Sequence, residues 1–210
     1  LGSGPHLMIN NSTLTNNWTE GDHSDGGAIL NVDGRVTIIG STLSGNFTKG
    51  DNAEGGAIGA NSDLTIQNSI LTDNFTEGDN AHGGAVGGLR ATIIDSTFTG
   101  NSTKGDGAHG GAVYVDRTLI IEDSTLSDNH TEGSDSNGGA ISSDGRDNTI
   151  TRSTISGNTA TGDGGGIHIN TGHVDITNST ISGNTASGLG GGLFSSATTR
   201  TARIVQSTIV

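Results

Sequence analysis

The chain has 210 residues, of which 29% are hydrophobic, 3% are aromatic and 37 are glycine, too little apolar mass for a conventional globular core. A formal charge of -13 excludes neutralising a run of phosphates, so no nucleic-acid partner is expected. Cysteine is absent, which excludes disulfides and thiolate metal sites, and apolar runs of a few residues provide no transmembrane segment.

The stretch STLSGNFTKGDNAEGGAI begins at Ser41, and near copies begin at Ser12, Ser69, Ser96 and Ser124. Aligned on that serine, with further starts at Ser153, Ser179 and Ser207, the units are separated by 29, 28, 27, 28, 29, 26 and 28 residues. A period this narrow predicts a solenoid. Helical repeats are excluded, because every unit is interrupted by adjacent glycines and is rich in Ser, Thr and Asn, which disfavour helix interiors.

Along the chain each unit writes three apolar columns. Three residues before the serine stand Ile9, Ile38, Ile66, Ile93, Ile121, Ile150, Ile176 and Ile204. Two residues after it stand Leu14, Leu43, Leu71, Phe98, Leu126, Ile155, Ile181 and Ile209. Ending each GGAI-like element stand Ile29, Ile58, Val86, Val113, Ile141, Ile167 and Leu193. The first two columns are five residues apart, an odd number that would point them to opposite faces of one strand, so a bend is required near the serine. The prediction is an all-β, right-handed parallel β-helix with three short strands per coil and about 28 residues per coil. Residues 1–210 are expected to form a single β-solenoid of about seven coils.

Five residues after each serine stands an asparagine: Asn17, Asn46, Asn74, Asn101, Asn129, Asn158 and Asn184. Amides one rung apart can hydrogen-bond along the axis, so this column is expected to be a structural ladder. Five members also form N-x-T glycosylation sequons, but glycans on every rung would crowd one another. Trp18, Phe47 and Phe75 follow the ladder and predict a stacked aromatic seam. Glu20, Lys49, Glu77, Lys104 and Glu132 alternate in sign, which favours attraction between neighbouring rungs and fixes register.

GGAI followed by F-x-x-N resembles the repeats of chlamydial polymorphic outer membrane proteins. Phe98-Thr99-Gly100-Asn101 matches the second element directly, and leucine or isoleucine replaces the phenylalanine in Leu43-Ser44-Gly45-Asn46 and Ile155-Ser156-Gly157-Asn158. The STISGNTA wording at Ser153 and Ser179 also looks like the right-handed β-helix passenger regions of large secreted bacterial proteins. The resemblance implies an extracellular or cell-surface stalk, often an adhesin, with a surface glycan or host-cell component as partner, and carries over no catalytic residue.

Candidate chemistry is sparse. Asp33, Asp116, Arg117, Asp144, Arg146, His168 and His173 do not recur at one offset, and Asp33-Gly34 and Asp144-Gly145 read as turns. Asp22, Asp51, Asp79, Asp106 and Asp163, each after a glycine, form the calcium candidate, although neither the EF-hand nor the nine-residue calcium repeat is present; solvated turns and no obligatory cofactor are expected. The histidines, including His82 and His109, lack ligand-like spacing and are expected to be exposed. Thr13, Thr42, Thr97, Thr125, Thr154 and Thr180 head T-x-T or T-x-S triplets that resemble the ice-binding face of antifreeze solenoids, interrupted by Ile70.

Neither end shows a cap, so either a segment of a longer array or end-to-end self-association is expected. The functional expectation is an extracellular structural or adhesive rod without catalytic activity. Ice binding and polysaccharide binding or cleavage are the alternatives.

Overall fold

The structure, a computed structural model, describes residues 6–196 and 201–210. Its coils are made by two left-handed corners. The first precedes each serine, where Asn11, Gly40, Asn68, Asp95, Asp123, Arg152, Asn178 and Gln206 have φ between 46 and 58°. The second precedes each ladder asparagine, at Asn16, Gly45, Asp73, Gly100, Asp128, Gly157 and Gly183. Positive φ is tolerated by glycine and, with local hydrogen bonding, by Asn and Asp. Those residue types fill every corner except Arg152 and Gln206, so the required bend is encoded locally.

Between corners the chain forms three parallel sheets of twelve, eight and seven strands. In the second coil Ile58–Gln67, Ile70–Thr72 and Phe75–Thr76 contribute one strand to each. In the first coil the corresponding long strand divides into Ile29–Asn31 and Arg35–Ile39 around Asp33-Gly34. Each strand pairs with its equivalent one coil away: Leu43 faces Leu71, then Phe98, Leu126 and Ile155. Ile38 faces Ile66, then Ile93, Ile121 and Ile150 in the same way.

The three apolar columns do not divide one per wall. The GGAI column and the isoleucine column both belong to the twelve-stranded sheet, and Leu43 and its equivalents to the eight-stranded one. The third wall is the two-residue strand after each ladder asparagine, whose inward side chains are threonines such as Thr48, Thr76 and Thr103, all fully buried. A fourth inward column, Val36, Leu64, Ala91, Leu119 and Val174, completes the core and contains one polar member, Asn148. Phe98 is the largest of the fully buried side chains. Burial of one such side chain contributes about 1.5–3 kcal/mol.

The paired glycines have a steric cause. A Cβ on Gly84 would lie 2.2 Å from Gly111 O and 2.3 Å from Ser102 O, both backbone atoms that cannot withdraw. The serines used for alignment form a ladder of their own: Ser96 Oγ accepts the Ser69 N–H at 3.1 Å and donates to Ile94 O at 2.7 Å. The same pair of bonds repeats at Ser41, Ser69, Ser124, Ser153 and Ser179.

Candidate functional site

The asparagine column runs unbroken. Asn101 Oδ1 accepts from Asn74 N at 3.1 Å and Asn74 Nδ2 at 3.0 Å, while its own Nδ2 donates to Leu71 O and Asn129 Oδ1, each at 2.9 Å. Equivalent side-chain bonds link Asn17 to Asn46, Asn46 to Asn74, Asn129 to Asn158 and Asn158 to Asn184. Asn46, Asn74, Asn101 and Asn129 are fully buried. With each of these four amide nitrogens buried and occupied twice, their sequons are structural and closed to a glycan in the folded chain, whereas Asn17 of the fifth is exposed.

Trp18, Phe47 and Phe75 stack along the axis with centroids 5.9 and 4.6 Å apart. Their faces cover one another, which suits packing rather than a sugar platform. Lys49 reaches Glu20 and lies over Trp18, and Lys104 reaches Glu77 and lies over Phe75. Glu132 pairs with His130 instead of a lysine.

The acidic loop column contains Asp22, Asp51, Asp79 and Asp106. Each Oδ1 accepts a backbone N–H of the next coil, from Asp51, Asp79, Asp106 and Ser134 at 2.8–3.1 Å. Asp163 does not belong to it. The loop before Asp163 is shorter, so its carbonyl bonds Gly138 N–H in the position that Glu54, His82, His109 and Asn137 occupy against the glycine pairs of earlier coils. The expectation of five aspartates in register therefore fails at the fifth. Among the described residues no group of three His, Cys, Asp or Glu side chains converges to hold a metal ion.

That second column is a ladder the sequence did not reveal. Asp25 Oδ1 accepts Glu54 N–H, His82 Nδ1 accepts His109 N–H, His109 Nδ1 accepts Asn137 N–H, and Asn137 Oδ1 accepts Asp163 N–H. It packs against the outward residues of the following coil. Gly59 and Gly87 make room for Asp25 and Glu54, since a Cβ at either would lie 2.7 Å from the acid's own Cβ. The ring of Tyr114 lies 4.4 Å from His82, and His168 stacks on Phe194 at 5.2 Å.

The histidines here are consequently not exposed, contrary to expectation. His168 is buried, His82 and His109 are half-buried, and the two stack at 5.0 Å. Burial, with the neighbouring His109, holds both His82 and His168 down at about 4; burial also lowers His109. Glu54 is pushed up to about 7 by burial, then by Asp116 and Asp25. The Tyr114 hydroxyl donates towards Asp116 Oδ1 at 3.0 Å and Asp144 Oδ2 at 3.1 Å, and burial beside those carboxylates raises it far above the ordinary phenol range.

The structure thus gathers Asp116 and Asp144 at Tyr114 in the middle coils, with His168 two rungs away beyond Ser142, a local departure from the repeat where none was expected. Asp33 remains exposed on a first-coil turn, three rungs away from Asp116. Tyr114 and Glu54 were missed. The one signal for them was that Tyr114 is the only tyrosine in the chain.

On the eight-stranded sheet the threonines stand in rank: Thr97, Thr125, Thr154 and Thr180 occupy successive rungs, and Thr13 and Thr42 precede half-exposed Ile70. In the parallel second rank Thr15 bonds Ser44 and Thr99 bonds Ser127 through their hydroxyls at 3.4 and 3.2 Å.

Left-handed corners, in-register parallel sheets and axial side-chain ladders together define a parallel β-solenoid. The right-handed β-helix region family model matches residues 26–209, and the chain belongs to that family. Neither a curated protein nor a solved structure gives a match.

Proposed function

We propose that this chain is part of an extracellular structural or adhesive rod without catalytic activity, of the surface-displayed type that its GGAI and F-x-x-N wording resembles. The observation that carries the reading is the asparagine ladder, continuous from Asn17 to Asn184. Every rung is built to extend the last, and in the cluster that departs from the repeat Tyr114 is only 7% exposed with its hydroxyl engaged by Asp116. Electron microscopy of the purified protein should show rods or filaments, and isolated compact particles that cleave a glycan would defeat the proposal.

A second reading is favoured by the hydroxyl ranks on the eight-stranded sheet, whose rung-spaced threonines suit an ordered water layer. An ice-recrystallisation assay decides it. The wild-type chain inhibits recrystallisation and Thr125→Lys does not if that face binds ice; equal behaviour of the two removes the reading.

A further inference from the structure

In the second ladder two successive acceptors are imidazole nitrogens. His82 Nδ1 accepts the His109 N–H and His109 Nδ1 accepts the Asn137 N–H, each at 3.0 Å. The following link, Asn137 Oδ1 to the Asp163 N–H, is made by an amide, which takes up no proton. A proton arriving on Nδ1 of either histidine turns the acceptor into a donor aimed at another donor, so the protonated ring cannot keep its place. The rings also stack with centroids 5.0 Å apart, so two imidazoliums would repel across the stack.

The surroundings offer little to offset those charges. His82 lies 4.4 Å from the ring of Tyr114, an apolar face. Asp144 bears on both histidines and favours the imidazolium, but burial outweighs it at each. Its Oδ2 is also 3.1 Å from the Tyr114 hydroxyl, which Asp116 shares. Glu54, one rung before His82 on the ladder, is pushed up to about 7 and is neutral once the pH is well below that. His168, 6.4 Å from His109 and with Asp163 bearing on it, brings another imidazole instead of a counter-charge.

The loops that carry the two rings are anchored separately. Ala81 and Ala108, each directly before a histidine, are fully buried, and their carbonyls accept the hydroxyls of Thr76 and Thr103 at 2.6 and 2.7 Å. None of these anchors titrates. Release of the rings therefore leaves the loop bases and the coil beneath them in place.

We infer that His82 and His109 form an acid-released latch over Tyr114: protonation frees the two rings from the backbone N–H groups they hold, opening this seam of the solenoid while its coils stay wound. The latch is local, and it stands whether or not the chain is a rod. Its sign follows from the closed state being neutral. For His82 the hold is complete above about 6.5 and is lost as pH falls through 4.

Native-state hydrogen exchange of the full chain, followed residue by residue across pH and low urea, tests it. The His109 amide reports on the His82 ring, the Asn137 amide on the His109 ring, and the Asn101 amide, bonded to Asn129 Oδ1 in the asparagine ladder, on the coil. After correction for intrinsic exchange, the His109 amide should open roughly 70-fold more often at about pH 4.5 than at about pH 7.5. The Asn137 amide should follow in the same direction. Neither opening should depend on urea, because a local opening exposes little surface, whereas exchange at Asn101 should be slower and should rise with urea. His82→Asn keeps an acceptor, as Asn137 does, so it should remove the pH response at the His109 amide and leave it at the Asn137 amide. Seam amides that track Asn101 in both pH and urea would show that only the whole coil opens, and would overturn the latch. So would seam amides whose opening is unchanged by pH, or a response at the His109 amide that survives His82→Asn.

Discussion

Nδ1 of His82 accepts the backbone N–H of His109 at 3.0 Å. An imidazole that accepts on Nδ1 carries its one proton on Nε2 and is neutral. The ring is further constrained by Tyr114 beside it and by Glu54 and Asp144 in the same cluster.

The pH dependence follows from opposing groups. His82 and His168 titrate near 4 when folded but near 6.5 when free, so the unfolded chain binds more protons and their stabilisation is lost as pH falls from 6.5 through 4. Glu54 acts oppositely: raised to about 7 from 4.5, its contribution is complete below 4.5 and lost as pH rises through 7. Two histidines outweigh one glutamate, so the net loss between pH 6.5 and 4.5 is roughly 2 kcal/mol. Thermal melts should show it. His82→Asn, which keeps an acceptor as Asn137 does, should shrink the acid loss, and Glu54→Gln should deepen it.

The ladder asparagines should be unequal. Asn101→Ala removes four hydrogen bonds at a fully buried site and orphans the Asn74 N–H, costing roughly 3–5 kcal/mol in denaturant unfolding. Asn17 is exposed and accepts nothing from another ladder amide, so Asn17→Ala should cost less than about 1 kcal/mol.

Two glycines separate steric from conformational demand. At Gly84 an added Cβ meets two carbonyl oxygens of neighbouring coils, and Gly84→Ala should cost roughly 3 kcal/mol or more. At Gly183 the nearest atom is 3.9 Å away and only φ of +62° opposes a side chain, so Gly183→Ala should cost about 1–2 kcal/mol. Paired denaturant curves measure the difference.

The fold was legible because a solenoid repeats its constraints. Ile38, Leu43 and Asn46 recur at fixed offsets, and axial stacking turns each offset into a contact. The assignment of columns to walls was less legible, because a kinked strand such as Ile58–Gln67 carries two of them. Loop lengths were hidden as well: Asp163 matches Asp106 in its preceding glycine, yet a shorter loop moves it to the neighbouring column. Tyr114, Asp116 and Asp144 meet only through the coil-to-coil register of a position that varies from Leu30 through Gly59, Gly87 and Ser142 to His168 and Phe194, a coincidence that no offset search detects.

The central claim is that equivalent residues of successive units lie one above another. The chain has no cysteine, so an introduced pair reports proximity directly. Thr97 and Thr125 are partners on adjacent strands, about 4.8 Å apart, within the Cα separation of under about 7 Å that a disulfide requires. Thr97→Cys/Thr125→Cys should therefore form an intramolecular disulfide on mild oxidation. Thr42→Cys/Thr125→Cys, three rungs and about 14 Å apart, should not. Equal cross-linking of the two pairs, or none in the adjacent pair of the folded chain, would contradict the stacked coil.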